Sequence, residues 1–331
     1  MRPVTYIWIA GAVVIAAAAV LLLVRLRGNR NMLAPTIVGA MGAFLLVGGW
    51  LFVVDSTTAK GEAIKTGGLA GGSVIALYAL WLNDRRRRTE EARQKLDNDR
   101  AEHDRSRVAD ERFARAVELL GHETDQVRVG ALHALAGLAK SREEYRQTVL
   151  DILCSYLRRP FDRGTDDRHE MEVRLTAQRL IGDLLPLAGE EDAKVYDLNL
   201  TNASLEYFDI AGRQVGLFTA RGAKFHQSNS FHHAVFHGDA FFTDAVNDGR
   251  LHGHHAVFRA KAWFSCFTSH GRVDFREVRF EGASKFADGG YDGGITLRDA
   301  VFSTPPDLTG LRVRKEPDDF LPADWTFEDL A

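Results

Sequence analysis

The sequence predicts three architectures in series: apolar helices that cross a membrane, an all-α block of paired helices, and a β-solenoid of short straight sides. Three observations carry this. Long uncharged runs crowd the first eighty-odd residues. An amphipathic helix pattern recurs at an offset of 46 residues, and from Leu198 onward large apolar residues return at every fifth position.

The first run, at about 4–24, has no charged residue and is long enough to cross about 30 Å of hydrocarbon at about 1.5 Å per residue. Arg25, Arg27 and Arg30 follow it, without the basic n-region and short apolar core of a cleaved leader. A second run occupies 33–54, and a third, shorter one 66–82. Counting basic residues in the loops places the N-terminus outside, Arg25 to Arg30 inside, and Arg85 to Arg88 with everything after residue 83 in the cytoplasm. An integral membrane protein is therefore expected, with residues 1–83 as its membrane domain. Gly67, Gly68, Gly71 and Gly72 form overlapping small-residue pairs suited to close helix packing. That packing is expected within this chain's own bundle, with homo-oligomerisation through the third helix or the C-terminal cap as the alternative.

Residues 84–120 mix charges densely and lack glycine and proline, which favours a solvated helical stalk. From 108 to 188 the pattern is that of packed helices. Val127-Arg128, Ala131 and Leu138 recur as Val173-Arg174, Ala177 and Leu184. Paired helices with a period of about 40–47 residues mark HEAT-like repeats.

The five-residue series defines the region 197–302. Its centres include Leu200, Leu205, Phe225, Phe231, Phe236, Phe241, Phe258, Trp263, Phe275, Phe280, Phe286 and Phe302. Small residues such as Ala203, Ala223, Ala234, Ala256 and Ala300 stand two positions earlier. A period of five fits neither a helix at 3.6 nor a strand at 2. It fits a chain that turns a corner every five residues, closes a square of about twenty residues, and stacks at about 4.8 Å. The series then makes about five coils that bury their inner faces against one another.

The segments Asn202-Ala203-Ser204-Leu205, Ala223-Lys224-Phe225, Ala234-Val235-Phe236 and Ala300-Val301-Phe302 resemble the pentapeptide-repeat pattern. The preceding helices, from Glu111-Arg112-Phe113 through Leu119-Leu120-Gly121 to Val127-Arg128, are similar to those of membrane-anchored bacterial members. The resemblance implies a right-handed quadrilateral β-helix. Arg213, Lys261 and Val273 depart from the small-residue slot, and frame slips near 226–230, 252–257 and 268–274 imply bulges or loops. Pro305-Pro306 ends the series, and Leu321, Trp325, Phe327 and Leu330 in 303–331 are suited to cap its last coil.

Chemistry is sparse. The 331 residues carry 42 Lys+Arg and 45 Asp+Glu, and the two cysteines, Cys154 and Cys266, exclude a disulfide framework or a four-cysteine zinc site. Eight of twelve histidines lie between 226 and 270. His232 and His252 are expected to stack in successive coils, with His254 nearby, as weak candidates for a metal or for a pH-responsive patch. A plain polar face is the leading reading, with no cofactor and no metal. No phosphate loop or nucleophile motif appears, so no catalytic activity is expected. The expected function is a membrane-tethered cytoplasmic scaffold that presents its solenoid to a protein partner. One alternative is a DNA-mimic regulator of a type II topoisomerase, as in a branch of the pentapeptide family. The other is a metal- or pH-responsive histidine-rich module. Residues 197–302 hold twelve acidic and eleven basic side chains, too balanced to imitate a phosphate backbone. Nothing in the composition calls for nucleic acid as a partner.

Overall fold

A computed structural model describes residues 5–26, 33–54, 60–161, 168–314, 321, 325 and 328–329. The chain divides into two compact units, Met1–Arg105 and Ser106–Ala331.

The first unit holds α1 (Thr5–Leu26), α2 (Leu33–Val54) and most of α3, which runs without a break over Lys60–Leu120. α1 and α2 pack through glycine. A Cβ on Gly11 would lie 2.4 Å from the Leu46 nitrogen, and one on Gly42 would lie 2.7 Å from the Ile15 side chain. On α3, Gly67 faces the Phe44 carbonyl and Gly71 the Ala40 carbonyl, whereas Gly68 and Gly72 meet nothing within 4 Å. Half of the small-residue pattern therefore lies against α2 and half faces away from it.

Among the described residues, no helix is long and apolar enough to cross a membrane, which corrects the expectation of three spans. The apolar stretch of α3 is closed by Lys65 and Asn83, and its seventeen residues reach only about 25 Å against the about 30 Å required. Integral membrane placement, the N-terminus outside and residues after 83 in the cytoplasm all rested on those spans and are withdrawn with them. Arg27 and Arg30 of the first loop, and residues 55–59 of the second, lie outside the described residues.

In the second unit, α4 (Asp125–Ser141), α5 (Arg146–Leu157) and α6 (Arg168–Leu184) pack together around Leu132, Leu135, Leu150, Leu153, Val173 and Ile181. Cys154 is buried among them, and burial pushes its thiol up to about 12. The two arginines at matching places of the helical pattern converge on one carboxylate. Arg128 donates to Glu170 and to the Tyr156 hydroxyl, and Arg174 lies 4.0 Å from Glu170.

A parallel β-solenoid of about five turns follows. Its two- and three-residue strands form four parallel sheets, one per side. Each coil bonds to the next in register. The first coils pair at 20 residues (Leu198 with Phe218), the next at 21 (Gln214 with Val235), and from Phe218 with Ala240 the offset is 22. The expected square of about twenty is thus widened, because only half of the corners have the predicted spacing. One kind of corner has four linking residues and places His233, Asp244, His255, Cys266, Glu277 or Asp288 in the left-handed region at φ of 55° to 58°. The other kind is shorter, with two or three linking residues, and needs close backbone approach. A Cβ on Gly249 would lie 1.6 Å from the Gln227 carbonyl oxygen, and one on Gly271 would lie 1.7 Å from that of Gly249.

The longer coil shifts the inward frame. Leu200, Leu205, Phe225, Phe231, Phe236, Phe258, Phe275, Phe280 and Phe286 are buried, and Phe302 partly so. Phe241 and Trp263 instead lie on the outer surface with their rings 5.3 Å apart, and Phe242 and Phe264 fill the interior beside them. Two stacks run along the core. Phe236, Phe258, Phe280 and Phe302 stack at 4.6, 5.0 and 4.8 Å, and Phe242, Phe264 and Phe286 at 4.6 and 5.2 Å.

Both ends are covered. At the start, the buried Arg174 guanidinium donates to the carbonyls of Leu157 in α5 and Ser204 in the first coil, and the Gln178 side chain accepts from the Glu206 N–H. At the far end Trp325 is buried with its ring 5.7 Å from Phe286 and 5.5 Å from Phe302. Leu321 packs at the edge of the same core, while Phe327 and Leu330 lie outside the described residues.

Truncation within the stack is expected to be costly. Phe264→Ala should lower unfolding free energy by about 3–5 kcal/mol, and Phe241→Ala by about 1 kcal/mol, in denaturant titrations. Equal effects would place both rings in one environment and contradict the 22-residue frame. Arg174→Ala leaves buried carbonyls unpaired on both sides of the junction and should cost at least about 2 kcal/mol in the same titration.

Candidate functional site

One side of the solenoid gathers most of the titratable chemistry. Its strands are Ser228–Ser230, Arg250–His252, Val273–Asp274 and Ile295–Thr296. Asn229, Leu251, Val273 and Ile295 point inward and are buried. Their neighbours alternate outward, as the two-residue period of a strand requires. Register then sets like positions above one another. Ser230, His252, Asp274 and Thr296 form a central column. Arg250 and Arg272 flank it on one side, and His232, His254, Arg276 and Arg298 follow at the next corner at the same 22-residue step.

The histidines stack, with a change of partner from the expected one. His232 lies on His254 at 5.0 Å with rings 5° from parallel, and His233 lies on His255 at 4.6 Å. His252 instead occupies the central column beside Asp274. The predicted pairing of His232 with His252 assumed a coil of twenty residues, and the two extra residues move His254 into that place.

Asp274 is the polar hub. Its side chain is 14% exposed. Arg276 grips it bidentately, Nε to Oδ1 at 2.8 Å and Nη2 to Oδ2 at 2.7 Å. His254 Nδ1 lies 3.6 Å from Oδ2. Burial alone would raise the Asp274 carboxyl, but the hydrogen bonds and charge of Arg276 outweigh burial and hold it below the ordinary carboxylate range. His254 is lowered by burial and by the nearby His232, His255 and Arg276, against the opposing pull of Asp274. Burial and the charges of His255 and His232 lower His233, and burial with Arg259 lowers His237.

Ligand atoms of His252, His254 and Asp274 all lie within 4.8 Å of one another, the one group of three among the described residues with the donor set of a metal site. The surroundings oppose a cation there. Both Asp274 oxygens already accept from Arg276, and a concavity of about 530 Å³ beside them is lined by Arg250, Arg272, Arg276 and Arg298. Arg250, Arg276 and Arg298 are exposed. Sequence reading singled out the histidines and passed over these arginines. Their spacing of 22 was the available signal, and it has meaning only once the coil length is known.

Elsewhere the histidines meet carboxylates one coil on. Nδ1 of His226 is 2.9 Å from Asp248, that of His270 is 2.9 Å from Asp292, and that of His255 is 3.3 Å from Glu277. Each pair is 22 residues apart and bridges neighbouring coils.

No protein-family model, curated protein or solved structure matches the chain.

The lowered histidines make stability depend on pH. His233, His237 and His254 bind protons less readily folded than unfolded, where the ordinary value is 6.5. Their contribution is complete above that value and is lost as pH falls below it, because the unfolded chain then takes up more protons. The thermal midpoint is expected to fall between about pH 7.5 and about pH 5.5, and His254→Gln to flatten part of that fall. A midpoint independent of pH over this window would contradict the assignment.

Proposed function

We propose that this protein is a non-enzymatic interaction scaffold whose solenoid presents an outer face to a protein partner. The pentapeptide-repeat resemblance, with its right-handed quadrilateral coil, is the reading of the repeat that best joins the five-residue series to a four-sided parallel solenoid. The observation that carries the function is how the side chains are divided. The interior is filled by aromatic stacks, whereas charge and hydrogen-bonding groups stand in register along the outside. A filled rod with an extended, repeating surface suits recognition by contact more than chemistry in a pocket.

The DNA-mimic alternative requires a continuous acidic face, and the four arginines of the histidine side interrupt any such run. The metal-responsive alternative meets the same arginines.

The test is proximity labelling from the C-terminus in cells, comparing the full chain with a chain lacking 190–331. A reproducible set of proteins that disappears with the solenoid is expected. Labelling dominated by topoisomerase subunits would favour the DNA-mimic reading. An unchanged set would refute the scaffold role of the solenoid.

A further inference from the structure

We infer that the histidine side of the solenoid is an anion-binding groove that takes a short, extended acidic segment of a protein partner. This rests on the scaffold reading and supplies the chemistry of its partner.

The groove is built by register. Arg250 and Arg272 occupy one column, Arg276 and Arg298 another, and each pair is 22 residues apart. Successive coils are separated by about 4.8 Å, so each pair places two guanidinium groups one strand spacing apart. Between the columns lies the concavity of about 530 Å³, floored by His252, Asp274 and Thr296. Four guanidinium groups thus line one concavity, and its carboxylate, Asp274, is already held by Arg276. Among the described residues neither Arg250 nor Arg298 has an ion pair. Like charges opposite one another across neighbouring strands repel, and an anionic ligand beside Arg250 and Arg298 offsets that repulsion. Arginine offers a planar donor fork matched to carboxylate oxygens.

The size and setting of the patch select the occupant. Two arginines per column cover about 5 Å along the rod, the reach of two or three residues of extended chain. Outside this side, residues 197–302 carry seven basic and eleven acidic residues. A nucleic-acid backbone running beyond the groove would therefore meet repulsion. The rings of Phe231 and Phe275 on this side point inward and leave no stacking platform for bases. A metal ion is disfavoured by the same four guanidinium groups.

The test uses the full chain and fluorescence anisotropy at pH 7 and low salt, with a fluorescein-labelled hexaglutamate peptide as probe. Saturable binding that weakens steeply with added salt is expected. The double substitution Arg250→Ala with Arg298→Ala should weaken it at least about tenfold, since two charge contacts are lost. Arg259→Ala with Arg279→Ala, on another side, should change it less than about twofold. Unchanged circular dichroism of both variants secures the comparison. Absence of saturable binding, or equal loss in both double variants, would overturn the groove. Tighter binding of a labelled decathymidylate would also overturn it, by making nucleic acid the occupant. Micromolar zinc binding lost in His252→Ala would overturn it in favour of a metal centre. Failure of the peptide assay with solenoid-dependent labelling intact would refute only the groove. Loss of that labelling would refute the scaffold itself.

Discussion

Hydrogen bonding between successive coils is the constraint from which the rest of the second unit follows. Backbone donors of one coil meet acceptors of the next: Phe231 donates to the His252 carbonyl, Phe242 to that of Trp263, and Phe275 to that of Thr296. Strands of two or three residues have no stability alone and hold only as members of such a stack. Once register is locked at 22 residues, every side chain lies above its counterpart. Phenylalanines then stack inside at about 4.6 Å and histidines stack outside at about 5 Å for the same geometric reason.

The ends of such a stack are its weak points, because open parallel edges present unpaired backbone groups. The helical block removes one edge. Gln214 and Gly216 donate to the carbonyls of Pro186 and Tyr196, while Arg174 and Gln178 from α6 satisfy the first coil beside them. At the other edge Trp325 covers the last rings and Glu328 donates to the Leu311 carbonyl. The buried Arg174 is an expensive side chain to enclose, and its lowered proton affinity reflects burial first. Its carbonyl partners on both sides of the junction make it a tie between helices and coils.

Much of the fold was legible in residue spacing. The five-residue series from Leu200 to Phe302 located the solenoid, and the matched Val127-Arg128 and Val173-Arg174 segments located the helices now seen as α4 and α6. The apolar N-terminal runs located helices but not spans, since among the described residues no helix is long and apolar enough to cross a membrane. Gly11 and Gly42 join α1 to α2, and the α3 stretch ends too soon to span. The candidate site was half legible. Clustered histidines were visible, but their partners were misassigned by two residues, and the arginines that set the sign of the local charge went unnoticed.

Residue spacing alone placed most large residues of this region in one interior, since a recurring apolar position is buried only by turning every side the same way. Phe241 and Trp263 escaped that rule. The length of a coil emerged only in three dimensions, because it depends on corner conformation. Left-handed residues such as His255 and close approaches such as Gly249 and Gly271 set the corner lengths, and neither is visible as hydrophobic pattern. The face followed from that length. Changing twenty to 22 moved His254 onto His232, put His252 beside Asp274, and brought four arginines distant in the chain around one groove.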